Sequence, residues 1–138
     1  MTFNIQEMCK KMLQTNDYYE TDIRDVNLVS AIKETIAPFG VFPMLRGFEY
    51  IVEAELMILK NGDCINRLRG EVFPQIAIKC YSTSTRVERA IRHALEICWE
   101  QEGEGMLKSC CSNKLVKPTI GEFLEIVSGG VNSTLGDS

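Results

Sequence analysis

The stretch TSTRVERAIRHALEICW, residues 83–99, decides how the chain is read. At about 100° per residue, Val87, Ala90, Ile91, Ala94, Leu95 and Cys98 fall within one apolar arc. Glu88, Arg89, Arg92 and Glu96 cluster on the opposite side, with Arg86 and His93 on the flank. The apolar half is therefore expected to dock on a domain while the arginines point away from it. A charged solvent face is common to surface helices, so the weight falls on what precedes this one.

Upstream lies FPQIAIKCYSTSTRVERAIRH, residues 73–93. Pro74 suits the first turn of a short helix running to about Lys79, because its missing N–H has no intrahelical acceptor there. A turn at Cys80–Thr83 follows, then Val87, ten residues after the small Ala77, packs the second helix back on the first. This is helix-turn-helix spacing. Tyr81 departs from it, since glycine is frequent at that point of the turn.

The remainder reads as further helices. Ile5, Met8, Cys9, Met12 and Leu13 recur at helical spacing, which predicts an N-terminal amphipathic helix, with QTNDYYETD after it as a connector. From Asp25, taken as an N-cap, VNLVSAIKETIAPFG puts Val26, Val29, Ile32 and Ile36 on one face before Pro38 and Gly40 end the helix. RGFEYIVEAELMILKNGD, residues 46–63, is apolar around much of its circumference and predicts the buried central helix, closed by Asn61-Gly62. A last helix starts at Thr119, whose spacing to Glu122 fits a capping box, and is expected to stop at Gly129-Gly130. The fold class is all-α: a multi-helix domain of about six helices containing a helix-turn-helix, plus the N-terminal helix. The organisation is 1–23 N-terminal helix and connector, 24–131 domain, and 132–138 flexible tail.

Composition narrows the function. The chain has 138 residues, one domain's worth, with 45% hydrophobic and 25% charged residues, an ordinary globular balance. It carries neither an apolar run of membrane-spanning length nor a secretory signal, so the expected compartment is the cytoplasm. The six cysteines are then read as small apolar residues without disulfides. A net charge of −4 is not that of a broadly electrostatic nucleic-acid binder, so any DNA contact has to be local. His93 is the only histidine, Cys110-Cys111 lacks zinc-knuckle spacing, and no glycine loop precedes a helix. No cofactor, no metal and no enzymatic activity are expected.

The strings TRVERAIRHALE (85–96) and KPTIGEF (117–123) closely resemble the DNA-binding effector domain of the master sporulation response regulator of endospore-forming bacteria. Weaker similarity in GVFPMLRGFEY, FPQIA and FLEIV extends the resemblance over about residues 24–131. It implies a six-helix domain whose second motif helix, about 84–101, lies in the major groove of a TGTCGAA-like element. Matched residue by residue, Arg86, Glu88, Arg89 and Arg92 fall on the family's DNA-facing positions. The chemistry agrees: an arginine donates two hydrogen bonds to guanine O6 and N7, and a glutamate accepts from cytosine N4. Arg89 is assigned to a guanine, Glu88 to a neighbouring cytosine, Arg86 to base or phosphate and Arg92 to phosphate. Ser82, Thr83 and Ser84, with the helix N-terminal amides, are candidates to hold a phosphate. Glu88 also has an intrahelical partner within reach in Arg92, four residues on.

The family's regulators ordinarily join this domain to a phosphorylated receiver, and the twenty-odd residues preceding the domain cannot hold one. The expected function is a sequence-specific, receiver-free transcription regulator whose partner is double-stranded DNA, bound as a homodimer or in tandem. The alternative is a helical interaction module that modulates a full-length sporulation regulator without touching DNA. The acidic WEQEGEG, residues 99–105, motivates that second reading, since Glu100, Glu102 and Glu104 near a DNA backbone would repel it.

Overall fold

The computed structural model describes residues 18–100, 106–111 and 116–136. Their elements are α1 (Tyr18–Ile36), α2 (Arg46–Lys60), α3 (Phe73–Lys79), α4 (Ser84–Glu100), α5 (Met106–Ser109) and α6 (Ile120–Gly136). Short 3-10 turns at Ala37–Phe39 and Gly62–Arg67 and a π turn at Leu68–Val72 link them. No strand occurs among the described residues, and the fold is all-α as expected.

The apolar circumference of α2 makes it the axis of the domain. Phe48, Ile51, Val52, Ala54, Leu56 and Ile58 are all buried on it, and α1, α4 and α6 pack around it. Ile32 and Ile36 enter from α1, Val87, Ile91 and Leu95 from α4, and Phe123, Leu124, Val127 and Val131 from α6. Each such side chain contributes about 1.5–3 kcal/mol on burial. Phe39 meets Phe123 edge-on, with ring centroids 6.1 Å apart, tying the end of α1 to α6. Leu107, fully buried, fixes the four-residue α5 to the same core.

Local chemistry sets most helix ends where the sequence predicts them. Pro38 cannot continue α1, and Gly40 takes the left-handed conformation at φ 94° while its N–H bonds to Ala37 O at 2.9 Å. Pro74 sits in the first turn of α3. At α6 the Thr119 backbone N–H donates to Glu122 Oε1 at 2.9 Å, and the Glu122 N–H donates to Thr119 Oγ1 at 3.1 Å. This is the reciprocal capping box, and these hydrogen bonds hold the Glu122 carboxyl below its ordinary range.

Four expectations are corrected. Asp25 is not an N-cap: α1 begins at Tyr18, so the boundary drawn at residue 24 falls inside one helix. Asp25 instead pairs with Lys60 of α2 at 2.9 Å, a long-range contact that a capping preference cannot foretell. Val26 is exposed rather than on the core face. Finally, α6 does not stop at Gly129-Gly130 but runs to Gly136, so residues 132–136 are helical rather than a loose tail. Gly130 serves a helix crossing: a Cβ there would come within 2.9 Å of the Thr35 methyl on α1. The N-terminal amphipathic helix lies outside the described residues.

Tyr81, between α3 and α4, has φ 54°, the left-handed region. A side chain there costs about 1–2 kcal/mol, and this one, 97% exposed, recovers little by packing. Tyr81→Gly should therefore stabilise the domain by about 0.5–1 kcal/mol after the added freedom of the unfolded chain is counted. The check is a thermal melt, in which the variant gains a few degrees.

Candidate nucleic-acid interface

The short helix α3, the turn at residues 80–83 and α4 form one unit. The Ser82 N–H donates to Ala77 O at 2.8 Å, closing the turn, and Ala77 and Val87 are both buried where the two helices meet. Lys79 of α3 is anchored on Glu53 of α2 at 2.6 Å. Thr83 is the N-cap of α4: the Arg86 N–H donates to Thr83 Oγ1 at 3.2 Å and the Val87 N–H to Thr83 O at 2.9 Å.

Beneath this unit α4 crosses α2 at Gly47. A Cβ on Gly47 would lie 2.4 Å from the Ala90 carbonyl oxygen and 3.1 Å from Ala94 Cβ. Only a hydrogen at that position allows α4 to seat as deeply as it does. The half-buried Ala90 and the buried Ala94 are correspondingly small.

With the apolar half of α4 seated, the other half faces solvent. Arg86, Arg89, Arg92 and His93 are exposed and Glu88 is half-buried. Ser82 and Ser84 are half-buried and Thr83 exposed at the N-terminal end of the same helix. The seven residues singled out by sequence are thus brought to one helix and its leading turn. Thr83 Oγ1 already accepts from its own helix, but the hydroxyl proton remains available to an anion. Among the described residues Arg86 and Arg89 form no ion pair, so their guanidinium groups are open to a ligand.

Glu88 accepts from Arg92 Nη2 at 2.7 Å, the expected intrahelical pair, and also from Arg69 Nη2 at 3.1 Å. Both bonds end on Oε2. Arg92, and then Arg69, hold the Glu88 carboxyl below its ordinary range against the opposing effect of burial. Arg69, on the π turn before α3, was missed by sequence; the only cue is the basic pair in NRLRG ahead of the motif. Lys117 Nζ lies 3.4 Å from Glu96 Oε1, which sets the KPT segment beside α4. Arg69, Glu88, Arg92, Lys117 and Thr119 thereby rim a groove of about 450 Å³ along one flank of α4. Glu100 is exposed at the far end of the helix, and Glu102 and Glu104 lie outside the described residues.

Of the described cysteines, Cys64 and Cys98 are buried, Cys80 and Cys111 partly so and Cys110 exposed, and all five are free thiols. Burial pushes the Cys98 thiol up to about 11. Among the described residues, no helix is long and apolar enough to cross a membrane.

A helix-turn-helix whose second helix turns three arginines to solvent is the arrangement of a DNA-binding domain of a transcription regulator. The family model described as "Sporulation initiation factor Spo0A C terminal" matches residues 32–131, and the chain belongs to that family. It is a family of DNA-binding regulatory domains acting in the initiation of sporulation, not of enzymes, and it binds double-stranded DNA.

Proposed function

We propose that the domain binds DNA sequence-specifically, with α4 in the major groove, and regulates transcription in the cytoplasm. The observation that carries this is the exposed arginine face of α4, with Arg86 and Arg89 unpaired among the described residues, on a helix held from behind at Gly47. Arg89 reads a guanine and Glu88 a neighbouring cytosine; Arg86 contacts base or phosphate and Arg92 phosphate. Ser82, Thr83 and Ser84 hold a phosphate at the helix N-terminus, which fixes the docking angle. One such domain on one half-site binds weakly, so two copies occupy the DNA together.

The test is fluorescence anisotropy with a labelled TGTCGAA-like duplex and a scrambled one. Wild type should prefer the first, and Arg89→Ala should lose about 1–3 kcal/mol on it, roughly 5- to 150-fold, with little change on the scrambled duplex. Equal binding to both duplexes, indifferent to Arg89, contradicts base reading.

A second reading, a module that docks on a full-length sporulation regulator, is favoured by apolar side chains left in solvent. Met44 is 89% and Ile78 is 78% exposed. Co-purification with the full-length regulator, without retardation of any duplex, would support it over the first.

A further inference from the structure

We infer that Arg69 is a positioning residue for base reading, holding Glu88 in place so that Arg92 is free to leave it for a phosphate. The inference rests on the proposal that α4 reads DNA and names a residue outside the motif that this reading requires.

A carboxylate among phosphates is repelled unless it is neutralised, and on α4 alone only Arg92 neutralises Glu88. An intrahelical pair of this kind is worth only a few tenths of a kcal/mol, and a phosphate competes for the same guanidinium. If Arg92 turned to the backbone, Glu88 would be left uncompensated just where it must face a base. Arg69 removes that conflict. It approaches from a different element, 19 residues away in sequence, and its Nη2 reaches the same oxygen, Oε2. The carboxylate stays compensated whichever way Arg92 turns.

The geometry also orients the acceptor. With both arginines on Oε2, Oε1 has no hydrogen-bond partner among the described residues, and a carboxylate oxygen in that state is free to accept from a cytosine N4 amine. The Glu88 side chain is only 18% exposed, so it is held rather than waving in solvent, whereas Arg69 is 81% exposed. Arg69 spends one of its five N–H donors on Glu88. The cluster of two arginines and one glutamate carries a net single positive charge, which suits a DNA-facing surface.

The experiment uses the full chain and competition anisotropy with the TGTCGAA-like duplex and derivatives in which each G·C pair is replaced in turn. Wild type, Glu88→Gln, Arg69→Gln, Arg69→Lys and the Arg69→Gln/Glu88→Gln double variant are compared. The expected result is that Glu88→Gln and Arg69→Gln lose discrimination at the same base pair, each by about tenfold, and that the double variant loses no more than Glu88→Gln. Arg69→Lys, which keeps the charge, should restore part of it. Far-ultraviolet circular dichroism melts should superimpose, given the exposure of Arg69. If Glu88→Gln loses a cytosine position while Arg69→Gln keeps it, or weakens every duplex equally, the positioning role is overturned and the reading of α4 stands. A wild type that discriminates at no base pair overturns both.

Discussion

Replacing Glu55 by glutamine is expected to change the pH dependence of stability more than any other carboxyl substitution among the described residues. Glu55 is fully buried on α2 among apolar side chains, and burial pushes its carboxyl from an ordinary value of 4.5 up to about 8. Ser128 Oγ of α6 lies 2.6 Å from Glu55 Oε2 and 2.9 Å from Leu124 O, while Oε1 has no partner among the described residues. One hydroxyl proton serves only one acceptor. The protonated carboxyl resolves this by donating to Ser128, which donates to Leu124. Between pH 4.5 and about 8 the folded protein keeps a proton that the unfolded chain releases, so stability falls as pH rises. At about 1.4 kcal/mol per pH unit, that interval amounts to about 5 kcal/mol. Denaturant melts should show wild type and Glu55→Gln within about 1 kcal/mol at pH 5, with the variant several kcal/mol more stable at pH 9. A difference that stays constant across that range would contradict the buried, protonated state.

Gly47→Ala should have the second largest effect, because the added methyl meets backbone. A Cβ 2.4 Å from the Ala90 carbonyl cannot be relieved by rotating a side chain, so α4 has to lift from α2. Overpacking of this kind costs about 1–3 kcal/mol, and the displaced helix is the one that presents the arginines. Gly129→Ala is the matched control. Gly129 is also helical, but nothing lies within 4 Å of its Cβ position, and alanine there should stabilise α6 by about 1 kcal/mol. Chemical denaturation should thus move the two variants in opposite directions, and Gly47→Ala should also weaken DNA binding under conditions where it remains folded. A Gly47→Ala variant as stable as wild type, or more so, would show that α4 does not depend on the crossing at Gly47.

What was legible in the sequence is what is local. The two faces of α4 are written at 3- and 4-residue spacing, and Val87, Ile91, Ala94, Leu95 and Cys98 are buried as that spacing requires. The capping box is legible because Thr119 and Glu122 are three residues apart. The Glu88–Arg92 pair is four apart and was equally readable. Contacts between distant residues were not. Arg69 reaches Glu88 across 19 positions, Lys60 reaches Asp25 across 35 and Ser128 reaches Glu55 across 73. Each has an ordinary local disguise: Asp25 looks like a cap, Arg69 like a helix-end charge and Ser128 like a surface hydroxyl. Gly129-Gly130 misled for a related reason, since glycine marks a helix end by its conformational freedom and a helix crossing by its lack of a side chain. Only the packing partner, Thr35, tells the two apart.

The central claim is that α4 reads base sequence through Arg89 and Glu88. The most direct measurement is selection of bound duplexes from a randomised pool, sequenced after a few rounds, for wild type and for Arg89→Ala. Wild type should enrich a short element with adjacent guanine and cytosine, and Arg89→Ala should lose the guanine while keeping the flanking preference. A wild-type pool indistinguishable from the unselected one, or the same element enriched by both proteins, would contradict it.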